Sequence, residues 1–221
     1  MSTEFEQIIG KKSHPLSLDD LRAKAAEYQY VHIDLGTGDG LFAWRLAKQS
    51  PDTFVIGIDA ARESLREGSA RAAKKPARGG APNAVFLCMN VLEMPEGLEA
   101  FADVVYINFP WGSLLQAVAR PFEENLHQFA ALVKDDGILE QHINLHVFND
   151  AEQRHNLGLP ELDDAFLVDT LFPIYEKCGL KVKSHHFTPS GQKVDVASTW
   201  GGRLTRRSGR PTLSFTADKI S

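Results

Sequence analysis

Three groups of residues in this 221-residue chain have the types and spacing to do chemistry. The first is Asp34-Leu35-Gly36-Thr37-Gly38-Asp39-Gly40, which follows the apolar alternation of Val31, Ile33 and Leu35. This order reads as a buried strand, a glycine turn, and a helix that starts near Leu41. Glycines in such a turn let backbone approach a ligand where a Cβ would collide. The spacing D-x-G-x-G-x-G differs from the dinucleotide fingerprint G-x-G-x-x-G, whose third glycine would fall on Leu41. A phosphate loop of the form G-x-x-x-x-G-K-[ST] is absent as well. Roughly twenty residues past the glycines, Asp59 ends a second apolar run that starts at Thr53. A carboxylate there can accept both hydroxyls of a ribose. The chemistry implied is capture of a nucleoside, with NAD and FAD disfavoured.

The second group is aromatic. Trp111 falls in the loop after a fourth strand, and Trp200 in a polar loop between two late strands. An exposed indole in a polar loop buries little and needs another reason to be there. Two such faces suit an extruded base: stacking is worth about 1–3 kcal/mol per base, comparable to the cost of flipping one. The alternative is that each indole caps its own loop. Asn108-Phe109-Pro110-Trp111 also approximates the N-P-P-[Y/F/W] motif of amino methyltransferases, which Phe109 breaks. Trp44 falls in a helix and reads as core.

The third group is basic, in a chain whose net charge is −5. Between residues 60 and 80 stand Arg62, Arg66, Arg71, Lys74, Lys75 and Arg78 against Glu63 and Glu67, a local +4. Arg203, Arg206, Arg207 and Arg210 stand without an acid between residues 198 and 212, a second +4, which leaves −13 for the remainder. Two basic patches on an acidic body are the electrostatic footprint of a nucleic-acid partner. Two solvated charge runs on separate faces would be the bland alternative.

The elements that must position these groups follow in order. Residues 1–15 read as a short hairpin extension. A helix is expected from Ser17 or Leu18 to about Glu27, with Asp19 and Asp20 in its first turn, where the helix dipole favours acids. Strands follow at 28–35, 53–59, 84–89, 102–108, 138–147, 180–187 and 210–217. Helices fall at 41–49, about 62–74, 114–119, 121–133 and 162–178, the last ended by Gly179. Residues 75–82, 150–160 and 188–209 read as loops, the last two as inserts or lids. The result is an α/β Rossmann-like domain spanning 1–221, with a seven-stranded, mostly parallel sheet, an antiparallel last strand and helices on both faces.

His142 and His146 are four apart on a strand and read as half-exposed histidines on one face, without a metal. Cys88 and Cys178 lie in no metal or C-x-x-C spacing and read as buried thiols in a reducing cytoplasm. No apolar run approaches a membrane span, and the first residues do not read as a signal peptide.

The glycine turn and the strand-end acid resemble the S-adenosylmethionine (SAM) site of class I methyltransferases. The resemblance sharpens over His32-Ile-Asp-Leu-Gly-Thr-Gly-Asp-Gly40, Ile56-Gly-Ile-Asp59, Lys74-Lys-Pro-Ala-Arg-Gly-Gly80, Phe109-Pro-Trp-Gly-Ser-Leu-Leu115, Gly158-Leu-Pro160 and Ser198-Thr-Trp-Gly-Gly-Arg-Leu204. In that order these blocks look like the aminoglycoside-resistance methyltransferases of the KamB/NpmA type, which methylate N1 of adenosine 1408 in 16S rRNA of the assembled 30S subunit. The resemblance implies that Asp34, Gly36, Gly38 and Asp59 hold SAM. The turn after the third strand, from Asn90 and Val91 to Glu93, would pass the adenine edge, with Asn90 as the side chain that reads it and Glu93 as the alternative. Trp111 and Trp200 would sandwich the flipped base, with Ser198 beside the reacting site. Lys74, Lys75, Arg78, Arg203, Arg206, Arg207 and Arg210 would grip rRNA phosphates. The expected protein is a cytoplasmic, monomeric RNA methyltransferase. A tRNA guanine-N7 or adenine-N6 enzyme, or a SAM-binding ribosome factor without turnover, are the alternatives.

Overall fold

The computed structural model describes residues 3–120, 122–191 and 211–220. Ser198, Trp200, Arg203, Arg206, Arg207 and Arg210 lie outside the described residues. The chain divides into two compact units, Met1–Tyr106 and Ile107–Ser221.

The first unit opens with a hairpin, β1 (Glu4–Ile9) and β2 (Lys12–Ser17), turned at Gly10. Ser17 then caps α1 (Leu18–Ala25) by accepting the Asp20 N–H, and Asp19 and Asp20 occupy the first turn as the dipole argument requires. The alternation in the sequence becomes β3 (Tyr30–Leu35), followed by α2 (Leu41–Gln49), β4 (Thr53–Asp59), α3 (Arg66–Ala72), β5 (Ala84–Cys88) and β6 (Ala102–Asn108). The strand order is β2-β1-β5-β4-β3-β6. The pairs β3–β4 and β4–β5 are parallel, while β1 pairs antiparallel with β2 and with β5. Residues 53–58 of β4 are all buried, as in a strand with cover on both faces.

The second unit carries α4 (Gly112–Ala119), α5 (Glu123–Leu132), β7 (Val133–Asn144), α6 (His146–Asn149) and α7 (Ala151–Asn156). It continues with α8 (Asp164–Phe166), a π-helical turn over Leu167–Leu171, α9 (Phe172–Lys177), β8 (Leu180–Thr188) and β9 (Thr212–Lys219). Strand β9 runs antiparallel between β7 and β8. All seven strands read from the sequence are present, and the fold is α/β. The amino-terminal hairpin is present as well, and joins the row of strands through β1 beside β5.

Two elements differ from expectation for local reasons. The helix expected over 162–178 runs without a gap from Asp164 to Lys177, but carries a π-helical turn over Leu167–Leu171, just before Pro173, which lacks the N–H that would reach back four residues. The helix after β4 starts at Arg66, four residues late, since residues 62–65 form a turn. Cys178 is buried as expected, but Cys88 at the end of β5 is only half-buried. Burial pushes both thiols up.

Candidate cofactor turn, exposed indole and basic loop

Strand β3 delivers Asp34 and the glycine turn. Asp34 is 1% exposed, so its carboxylate is part of the interior. Gly36, Gly38 and Gly40 all have positive φ, at 68°, 57° and 69°. Two of them serve different ends. A Cβ on Gly40 would stand 2.6 Å from the Phe86 ring and 3.3 Å from the Gly68 backbone, so this glycine lets the turn pack against α3. The Gly68 N–H donates to the Asp39 carbonyl at 2.9 Å across that close approach. A Cβ on Gly38 would meet nothing within 4 Å, so its outer side is open. Asp39 begins α2 by accepting the Leu41 N–H at 2.9 Å.

Asp59, at the end of β4, is built into this turn. Its Oδ2 accepts the Gly38 N–H at 2.9 Å and its Oδ1 accepts the Ala61 N–H at 2.8 Å. Each carboxylate oxygen keeps a second lone pair for a sugar hydroxyl. The buried Thr37 hydroxyl has no hydrogen-bond partner among the described residues. An open glycine, an acid with spare acceptor capacity and an orphaned hydroxyl fit the nucleoside half of SAM. In the turn after β5, Asn90 and Glu93 are joined: the Asn90 amide donates to Glu93 Oε1 at 2.9 Å, and Asn90 Oδ1 accepts the Leu92 N–H. The two side chains weighed as alternative adenine readers therefore form one exposed pair, beside the buried Val91.

In the second unit, Trp111 is 63% exposed. It is the extended residue that precedes α4, between buried Pro110 and Gly112 at φ 57°. Phe109 holds the left-handed conformation, at φ 50°. The segment expected to be a lid is tied to α4. Arg120 donates to the carbonyls of Leu157 and Gly158, and the Gln116 amide reaches Leu157 O at 2.8 Å. Asp150 caps α7, taking the N–H groups of Glu152 and Gln153.

The basic stretch of the first unit is partly self-neutralised. Arg66 pairs with Glu63, Arg71 with Glu67, and Arg62 with Glu6. Lys74, Lys75 and Arg78 are exposed and make no ion pair among the described residues. They sit on a loop folded as a 3₁₀ turn, Pro76–Arg78. A Cβ on Gly80 would overlap the Lys74 carbonyl at 1.6 Å, so the loop closes on itself. Trp44, expected in the core, is instead half-buried under this loop. Its indole N–H donates to Gly79 O at 2.9 Å, while Lys48 and Arg71 stand 5.0 and 5.1 Å from its ring.

The expectation for the two histidines is corrected. His142 is 1% exposed within β7, and His146 opens α6, so they share no strand face. His142 Nδ1 lies 2.8 Å from Ser214 Oγ, and its Nε2 lies 3.0 Å from Glu140 Oε1. Sequence reading missed this cluster. Glu140-x-His142 in a strand covered on both faces was the available signal.

The sequence model of one family, described as 16S rRNA (adenine(1408)-N(1))-methyltransferase, matches residues 6–219. An Escherichia coli protein of that description is 36% identical over 162 residues, 72% of this chain and 73% of its own length. The crystal structure of the antibiotic-resistance methyltransferase Kmr superposes with a TM-score of 0.82 at 42% identity, covering 98% of this chain and 99% of that one. A mutant 16S rRNA (adenine(1408)-N(1))-methyltransferase from Catenulisporales acidiphilia, with cosubstrate SAM, has a TM-score of 0.84 at 29% identity, with coverage of 98% and 97%.

Proposed function

The chain belongs to the 16S rRNA (adenine(1408)-N(1))-methyltransferase family, and from that premise we propose that it methylates N1 of adenosine 1408 within the 30S subunit. Resistance to aminoglycosides would be the consequence in a cell that carries it. The observation that carries the reading is the family match over residues 6–219, and the turn in which Asp59 accepts the Gly38 N–H supports it.

SAM supplies an electrophilic methyl group on its sulfonium. Asp59 accepts the ribose hydroxyls, Gly38 leaves room for them, and Asp34 and Gly36 complete the cradle. Asn90, Val91 and Glu93 line the adenine edge. Trp111 and Trp200 stack on the two faces of the flipped target base, with Ser198 beside them. Neutral adenine carries a lone pair at N1, so no general base is needed there. Positioning and exclusion of water then account for most of the rate. Aromatic faces also suit a product ring that becomes cationic. Lys74, Lys75 and Arg78, with Arg203, Arg206, Arg207 and Arg210, take rRNA phosphates, and the protein acts as a monomer on a surface read largely by shape.

The test is incubation with labelled SAM and either 30S subunits or bulk tRNA, followed by reverse-transcription mapping. A stop at position 1408 is expected. Label confined to tRNA, or no transfer despite SAM binding, would end this reading.

A further inference from the structure

Behind Phe109 the second unit buries three polar side chains that the proposed reaction does not use. His142 and Ser214 face each other in the β7–β9 register. Glu140 lies two residues before His142 on the same face of β7. Glu140, His142 and Ser214 are 6%, 1% and 6% exposed. The contacts at both ring nitrogens, 2.8 Å to Ser214 Oγ and 3.0 Å to Glu140 Oε1, fix the imidazole in rotation and in tautomer. A carboxylate accepts the Nε2–H, so in the neutral ring Nδ1 accepts the Ser214 hydroxyl.

The locked ring has a neighbour. The Phe109 side chain stacks on it, with centroids 6.1 Å apart and planes at 28°. The Phe109 N–H also donates to the His142 carbonyl at 2.7 Å. Phe109 is held at φ 50°, a conformation that a bulky residue keeps only where its surroundings impose it. Buried Pro110 and exposed Trp111 follow directly. The turn from which Trp111 leaves the strand end thus rests on His142 through both ring and main chain.

We propose that His142 is a positioning residue for methyl transfer: clamped by Glu140 and Ser214, it holds the Phe109 turn and thereby aims the Trp111 indole. The inference rests on the reading of Trp111 as a platform for the target base. His142 itself touches no reacting atom. A displacement of about 1 Å in a positioned group can cost roughly a hundredfold in rate, which is the scale to look for.

The experiment is a double-mutant cycle in the full chain, read as single-turnover methylation at saturating 30S subunits. His142→Gln keeps an N–H for Glu140 and removes the ring face; Ser214→Ala removes one hydrogen bond and little volume. His142→Gln should slow methylation about ten- to hundredfold, with SAM and 30S affinities unchanged. Ser214→Ala should slow it less. In a Trp111→Ala background neither change should slow it further, because both act through that indole. A His142→Gln rate equal to wild type, with Trp111→Ala slow, would overturn this inference and leave the platform reading intact. Losses that multiply in the double variant would also overturn it, since His142 would then act apart from Trp111. A wild-type rate for Trp111→Ala would remove the platform reading and this inference together. If His142→Gln does not fold, Ser214→Ala carries the same cycle.

Discussion

The two units build their candidate sites in opposite ways. In the first, the glycine turn is closed down on itself: Gly40 packs on Gly68, and Asp59 holds the Gly38 N–H. What is offered to a ligand is spare capacity on groups already bonded. In the second, a left-handed Phe109, half-buried, precedes one large side chain that stays out, with Trp111 63% exposed. A small ligand of fixed shape can be met by locked backbone. On the proposed reading, a base arriving from a large particle would meet a flat face, which tolerates approach from several directions and gains most from contact area.

The contrast makes the two units differ in what a substitution should damage. Gly40→Ala should act on the fold: a clash with Phe86 and the Gly68 backbone, added to the positive φ, should cost roughly 2–4 kcal/mol in denaturant unfolding. Gly38→Ala pays only for its φ, and should lose SAM affinity more than stability. Equal destabilisation by the two would break the distinction between packing glycine and ligand glycine. Trp111→Ala should act on rate alone, slowing methylation about ten- to hundredfold at unchanged Tm, with Trp111→Phe partly active. Asp59→Ala should weaken SAM binding about tenfold or more by calorimetry, through lost hydrogen bonds to a charged group, without changing 30S affinity. Lys75→Ala should lower the log-affinity against log-salt slope for 30S subunits by about 0.7–0.9, one phosphate contact, and leave SAM binding alone.

The smallest effect concerns Asp150, whose carboxyl is held below the usual aspartate range mainly by the Gln153 N–H. A depressed folded value means that its contribution is present above the unfolded value, near 3.9, and is lost as pH falls through the folded one. Protection of the α7 amides, taken relative to the intrinsic exchange rate at each pH, should therefore fall selectively below about pH 4. A uniform fall across the second unit would show instead that α7 opens only with its surroundings.

Elements with a strong local signal were legible in the sequence. Residues 41–49 and 102–108 form the helix and strand expected, because periodicity and turn residues coincide there. Pairing partners were less legible: nothing in residues 4–9 announces β5 as a neighbour, since strand pairing is decided by tertiary contact. The residue types of the cofactor turn were readable, but their division of labour was not. Gly40 answers to Phe86 and Gly68, both more than twenty-five positions away. His142 was misread because half-exposure is the usual state of a strand histidine, and its partner Ser214 lies 72 residues on.

The hydrogen bond from Trp44 to Gly79 bears on how a grip on RNA would be made. A basic loop that must organise on contact surrenders backbone entropy, about 1–2 kcal/mol for each residue fixed, beyond what its side chains lose, and binds more weakly or more slowly for it. Here the backbone beneath Lys74, Lys75 and Arg78 is set in advance by an indole, a 3₁₀ turn and a glycine that nothing larger could replace. Only the side chains remain to be ordered. Association with phosphate would then be governed by charge steering and ionic strength, with no slower folding step behind it.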